Sequence, residues 1–214
     1  GQHHPKTGAS ISLHFQRPEP GTTTMLGAEP RYRIRHPRYP QEAMKVLLVV
    51  NPSASSVTAR TRIVIQKALS ADHRLEVAAT SRRGHATRLA QGAANDNIDV
   101  VVVLGGDGTL NEAANGLAGT QTALAAVPGG STNVFARTLG LPDDPVEATG
   151  ALLDAMEAGL VRRVGLGSVN GRYFLFHAGV GFDAAVVERV ERRGGLLKRF
   201  AGHPLFAVSY THLR

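Results

Sequence analysis

Three observations predict an α/β protein: an open parallel sheet followed by the beginning of an antiparallel β-rich second domain. From residue 46 onward, short apolar runs alternate with helical stretches. Two glycine-rich segments, at 105–108 and 129–130, stand where apolar runs give way to helical ones. The pattern then changes at Asn170-Gly171, which joins two alternating runs in the way a hairpin turn does.

Val46 to Val50 is continuously apolar and ends at Asn51-Pro52, so it reads as a buried strand, with helical character following from Thr58 to Leu69. Leu75 to Ala79 is the second strand and His85 to Ala94 the second helix. The run from Ile98 to Leu104 is the strongest strand, apolar at nearly every position as expected of a strand covered on both faces. A helix over Thr109 to Leu117, a strand over Ala123 to Val127 and a helix starting near Ser131 complete the alternation. Strands and helices at this spacing imply right-handed βαβ units, whose ligands lie at the carboxyl ends of the strands. Asp144, Pro145 and Glu147 spell the start of a further helix, with a cap, a first-turn proline and a capping box, ending near Gly159. Beyond it, Arg162 to Val169 and Arg172 to Val180 form a hairpin about Asn170-Gly171. Asp183 is expected to cap a helix from Ala184 to Arg193.

Residues 1–44 contain six of the eleven prolines and no sustained period, too little to offset ordering entropy, and are expected to be a disordered leader. An α/β domain is expected over 45–158 and an incomplete β-rich domain over 159–214. The formal charge of +7 divides into +4 over 1–45, −1 over 46–150 and +4 over 151–214. Arg31 to Tyr39 interleaves bases with aromatics, but such patches discriminate weakly, so a solvated tail and no nucleic-acid partner are expected. The absence of cysteine excludes a disulfide framework, a Cys-ligated zinc site and a thiol nucleophile, and fits a reducing compartment. No apolar run approaches the roughly 20 residues of a membrane-spanning helix.

The chemistry concentrates in Gly105-Gly106-Asp107-Gly108-Thr109-Leu110-Asn111-Glu112. Three glycines in four positions allow positive φ and close approach, and a helix N-terminus offers free N–H groups to phosphate. No Gly-Lys-Ser/Thr follows, so this is not a Walker A loop. Asp107, a carboxylate among amides, is expected either to organise the nucleotide site or to close its own Asx-turn. Thr109 and Glu112 have the spacing of a capping box. Pro128-Gly129-Gly130-Ser131-Thr132-Asn133-Val134-Phe135-Ala136-Arg137 repeats the design, with Ser131 as helix cap or phosphate ligand and Asn133 and Arg137 four apart on one helical face. The two turns are expected to converge on one polyanion. Loops at Asn51-Pro52-Ser53-Ala54-Ser55-Ser56 and Thr80-Ser81-Arg82-Arg83-Gly84-His85 join them at the same sheet edge, with His85 read as structural.

These two motifs, with Gly84-His85-Ala86 and Gly179-Val180-Gly181-Phe182-Asp183, resemble the diacylglycerol kinase catalytic-domain family over roughly residues 45–207. The resemblance implies ATP-dependent phosphoryl transfer to a lipid hydroxyl, with ATP and Mg2+ as cofactors and diacylglycerol or a related lipid as substrate. It carries ATP contacts onto Asn51, Pro52, Ser53, Ala54, Ser55, Thr80, Gly105, Gly106, Asp107, Gly108, Thr109, Leu110, Asn111 and Ser131, with Glu112, Gly130, Asn133 and Arg137 in support. Ala54 and Ser55 stand where the family's first loop usually has a glycine, Ser131 replaces a threonine and Val134 a common Asp. The family's Asp-Gly-Glu segment, with its general base, and its magnesium ligands lie further downstream. No Asp-Gly-Glu occurs here, so no catalytic base or metal ligand is assigned in this chain, which is expected to be C-terminally truncated. The resemblance and the basic flanks imply a cytoplasmic enzyme in peripheral contact with anionic membrane. The alternatives are NAD kinase, which shares Gly-Gly-Asp-Gly-Thr, and an inactive nucleotide-binding fragment. The sequence assigns no oligomeric state.

Overall fold

The computed structural model describes residues 12–16, 34–35 and 43–176. Its elements are strands β1 (Ser12–Gln16), β2 (Ile34–Arg35) and β3 (Lys45–Val50), helix α1 (Ala59–Asp72), β4 (Arg74–Ala79), α2 (His85–Asn95), β5 (Val100–Gly105), α3 (Asp107–Leu117), β6 (Ala123–Pro128), α4 (Val134–Thr138), α5 (Pro145–Glu157), β7 (Leu160–Gly165), β8 (Gly167–Val169) and β9 (Arg172–Phe174). The main sheet runs β2-β7-β1-β6-β5-β3-β4. Its heart is the predicted parallel set: β3 pairs in parallel with β4 and β5, and β5 with β6. All four carboxyl ends therefore open on one edge.

Every residue of β5 and β6 is buried, because helices cover both faces of these strands. On one face, Val46, Leu48, Val50, Val100, Val102, Leu104, Ala123, Ala125 and Val127 form a core with Ile65 and Leu69 of α1 and Leu152 and Met156 of α5. The alternate residues point to the opposite face, where α2 and α3 supply Ala86, Ala90, Ala93, Leu110, Ala113, Ala114 and Leu117. The α2–α3 crossing is tight. A Cβ on Gly116 would lie 2.4 Å from the Thr87 carbonyl oxygen and 2.8 Å from the Ala90 Cβ, and the Thr87 hydroxyl donates to the Glu112 carbonyl at 2.9 Å. Gly116→Ala is expected to lower stability by about 1–3 kcal/mol through overpacking, against the usual gain of alanine in a helix; unchanged urea denaturation would refute this.

Local signals fix the helix ends. Thr58 caps α1, accepting from the Thr61 N–H, and Asp144 caps α5, accepting from the Val146 and Glu147 N–H groups at 2.8 and 3.0 Å with Pro145 at the first helical position. Gly159, at φ 61°, follows the end of α5. Asn170 and Gly171, at φ 51° and 75°, form the expected turn of the β8–β9 hairpin, with both central residues left-handed.

Three expectations are corrected. Within the supposed disordered leader, residues 12–16 and 34–35 are strands: β1 lies antiparallel to β6 and parallel to β7, and β2 antiparallel to β7. Backbone pairing with β6 and β7 supplies what their composition does not. Residues 162–165, expected in the first arm of the hairpin, belong to the main sheet as part of β7, leaving Gly167–Val169 as the arm that pairs with β9. The helix expected near Ser131 starts only at Val134 and has five residues. The compact unit that holds these elements runs to Leu175. The predicted Gly179–Asp183 motif and the helix from Ala184 to Arg193 lie outside the described residues.

Candidate nucleotide site

The β3, β5 and β6 loops are cross-braced at the carboxyl edge of the sheet. Glycines let their backbones touch. A Cβ on Gly129 would sit 2.9 Å from the Gly105 Cα and 2.8 Å from the Val57 Cγ2, and one on Gly130 would sit 2.7 Å from the Gly106 Cα. The Gly129 N–H donates to the Gly105 carbonyl at 2.9 Å and the Ser56 N–H to the Gly129 carbonyl at 2.9 Å. None of Gly105, Gly106, Gly108, Gly129 or Gly130 has positive φ. The expectation of left-handed turns is thus corrected: the glycines at 105, 106, 129 and 130 serve the contact between loops.

Three polar side chains complete the bracing. Asn51 Nδ2 donates to Thr109 Oγ1 at 2.9 Å while its Oδ1 accepts from the Ser53 N–H at 3.0 Å, which ties the β3 loop to α3. Asn133, left-handed at φ 45°, accepts the Gly130 N–H through Oδ1 at 2.9 Å and donates to the Gly130 carbonyl through Nδ2 at 2.8 Å. Asp107 reaches across from α3. Its Oδ2 accepts from the Val134 N–H at 3.0 Å and its Oδ1 from the Phe135 N–H at 3.1 Å. The carboxylate closes no turn of its own; it caps α4, where two amides and the helix dipole compensate its charge. The first amides of α4 are therefore taken by Asp107, and one helix end is braced by the other.

That helix end belongs to α3. Gly106 is its N-cap, with no side-chain cap bond, so Thr109 and Glu112 form no capping box. The Thr109 and Leu110 N–H groups donate to the Gly106 carbonyl at 3.1 Å each. Those of Asp107 and Gly108, the first two of the helix, have no acceptor within it. Gly108 is exposed and a Cβ there would meet nothing within 4 Å, so this turn opens to solvent. Thr109 and Leu110 are buried, at 9% and 4% exposure, and face inward.

Pro52 and Ser53 are exposed in the β3 loop, and Ala54 and Ser55 half-buried. Thr80 follows β4, its N–H donating to the Val50 carbonyl at 2.8 Å, one residue before Asn51. His85 Nδ1 accepts from the Ser81 N–H at 3.1 Å and holds the β4 loop, a structural role as expected. Ser131 is exposed and caps no helix. Asn111 is turned to β9: Oδ1 accepts from the Leu175 N–H at 3.1 Å and Nδ2 donates to the Tyr173 carbonyl at 3.2 Å. Glu112 is half-buried, with its carbonyl held by Thr87. Sequence reasoning missed Asn115, which also holds Tyr173, although its place four residues after Asn111 puts both on one helical face.

Arg137 does not share a face with Asn133 toward a ligand. Its Nε and Nη2 donate to the Asp143 carboxylate at 3.1 and 3.3 Å, and hydrogen bonding to Asp143, then its charge, raise the guanidinium pKa above its ordinary value. The pair is more than half exposed. Arg137→Ala is accordingly expected to leave the urea denaturation midpoint unchanged, since exposed ion pairs contribute little.

Among the described residues, no group of three or more His, Asp or Glu side chains is placed to hold a metal ion, and no helix is long and apolar enough to cross a membrane.

Residues 45–169 match the family model described as the diacylglycerol kinase catalytic domain. The chain is 36% identical over 139 residues to a diacylglycerol kinase of Bacillus subtilis, covering 63% of this chain and 45% of that protein. It is 36% identical over 165 residues to a probable lipid kinase (YegS-like) of Chromohalobacter salexigens, covering 75% and 50%. A crystal structure of a diacylglycerol kinase from Bacillus anthracis superposes with a TM-score of 0.55 at 36% identity, covering 62% of this chain and 46% of that one. The chain thus spans about half the length of the relatives it matches. Its parallel four-stranded core, its cross-braced glycine loops and the matched stretch agree: the chain belongs to the diacylglycerol kinase catalytic-domain family.

Proposed function

We propose that this chain is the nucleotide-binding part of an ATP-dependent lipid kinase that transfers the γ-phosphoryl group of ATP to the hydroxyl of diacylglycerol. The observation that carries the reading is the open first turn of α3, whose Asp107 and Gly108 N–H groups lack an acceptor within the helix. The Ser53–Ser55 segment, Thr80 and Ser131 stand at the same sheet edge, and Arg82 in the β4 loop adds positive charge there. Phosphoryl transfer demands positioning and charge stabilisation more than covalent chemistry from the protein. The γ-phosphorus–oxygen bond to ADP breaks as the lipid oxygen bonds to phosphorus, and the hydroxyl proton passes to a base. The resemblance assigns that base to an Asp-Gly-Glu segment, which these 214 residues do not contain.

Magnesium, when bound, would neutralise phosphate charge. The described residues contribute a backbone cradle to that arrangement and not a carboxylate cage. The basic flanks, +4 over 1–45 and +4 over 151–214, suit a cytoplasmic enzyme working at an anionic bilayer. The test is direct. Expressed from its complete coding sequence and incubated with ATP and Mg2+, the protein is expected to phosphorylate diacylglycerol in anionic vesicles. Phosphorylation of NAD in its place, or ATP binding without turnover of any lipid, would overturn the reading.

A further inference from the structure

We infer that Asn115 is a positioning residue which, together with Asn111, clamps strand β9 onto α3 and so fixes the hairpin against the helix that carries the open amides. Asn115 Oδ1 accepts from the Tyr173 N–H at 2.9 Å, and its Nδ2 donates to the Tyr173 carbonyl at 2.9 Å and to the Asn111 carbonyl at 2.8 Å. One turn earlier, Asn111 Oδ1 accepts from the Leu175 N–H at 3.1 Å and Nδ2 donates to the same Tyr173 carbonyl at 3.2 Å. Two side-chain amides on one helical face thereby offer the acceptors and donors that a neighbouring strand would offer. They take up the N–H and C=O of Tyr173 and the N–H of Leu175, alternate residues on one edge of a strand.

The arrangement is specific to amides. Each asparagine must accept from one backbone group and donate to another, so a carboxylate, acceptor only, satisfies half of the clamp and an alanine none. The other edge of β9 pairs with β8, so the strand is held on both sides. Helix α3 begins at Asp107, one turn before Asn111, so the element that carries the open amides also fixes the hairpin. A displacement of β9 therefore moves against a rigid helix and not against a loop.

The functional half of this inference rests on the lipid kinase reading; the structural half does not. Hydrogen exchange, ATP affinity and lipid turnover are measured on the full-length protein and on Asn115→Ala and Asn115→Asp. In Asn115→Ala the Tyr173 amide is expected to exchange about tenfold faster, the loss of one hydrogen bond. Asn115→Asp keeps that acceptor and the Tyr173 protection, and serves as the folded comparison should the alanine variant fail to fold. Both variants are expected to bind ATP within about twofold of wild type, because the open first turn is untouched; Asn115→Ala is expected to lose about tenfold or more in lipid kcat/KM as the hairpin loosens, with Asn115→Asp between it and wild type. Unchanged Tyr173 exchange in Asn115→Ala overturns the clamp. Faster exchange with unchanged lipid turnover overturns its positioning role. A wild-type protein that phosphorylates no lipid sinks the kinase reading, and the exchange comparison still decides the clamp.

Discussion

Asp107→Ala is expected to reduce lipid phosphorylation by about a hundredfold or more, the equivalent of roughly 3 kcal/mol of transition-state stabilisation. The cause is positional. The carboxylate accepts from the Val134 and Phe135 N–H groups, and it joins the helix carrying the open amides to the loop packed against it. Its removal leaves two helix-end N–H groups without their acceptor, at about 1–3 kcal/mol of stability, a shift of a few degrees in Tm for a domain of this size. Asp107→Asn keeps one carbonyl acceptor but turns an NH2 group toward the second N–H, and should fall between alanine and wild type in both Tm and turnover. Full activity in the alanine variant would show that the bridge between the two loops is dispensable.

Gly130→Ala is expected to weaken ATP binding by about tenfold or more and to cost about 1–3 kcal/mol of stability, the usual range for a methyl group forced into a packed site. The new Cβ would lie 2.7 Å from the Gly106 Cα, a backbone atom that cannot swing aside, so the two loops must separate. Gly108→Ala is the matched control. It places a methyl group in open space within the first turn of α3, where alanine favours the helix by about 0.5–1 kcal/mol. Denaturant melts of both variants distinguish loop packing from general intolerance of bulk, and calorimetric titration of Gly130→Ala with ATP tests the loss of binding. If Gly130→Ala matched wild type in both, the packing account would be wrong.

The parallel sheet was legible because its cause is local and repeated: apolar runs of strand length, each closed by a turn, alternate with helical stretches. The β8–β9 turn was equally plain, since Asn-Gly favours two consecutive left-handed residues. The cap of α5 could be read from Asp144, Pro145 and Glu147 because capping is settled within four residues. Strand β7 could not be assigned in the same way. Its membership of the main sheet depends on pairing with β1, almost 150 residues earlier in the chain, and no local pattern records such a partner.

The candidate site divides along the same line. Its location at the carboxyl ends of the strands and its glycine-rich character followed from the sequence alone, because a phosphate cradle needs backbone amides wherever a strand passes into a helix. Which polar side chains face a ligand and which brace the loops was decided only by the fold. Thr109 and Glu112 have the spacing of a capping box, yet Thr109 accepts from Asn51, 58 residues away. Asp107 stands among the amides of a glycine-rich loop, yet its partners lie 27 and 28 residues on. Asn133 and Arg137 are spaced for one helical face, yet the first closes its own loop and the second pairs with Asp143. The sequence determined the sheet, the glycine loops and the family. Tertiary structure alone decided the role of each polar group, because a hydrogen bond is won by whichever partner the fold brings within about 3 Å, and sequence spacing predicts that distance only inside a single helix, strand or turn.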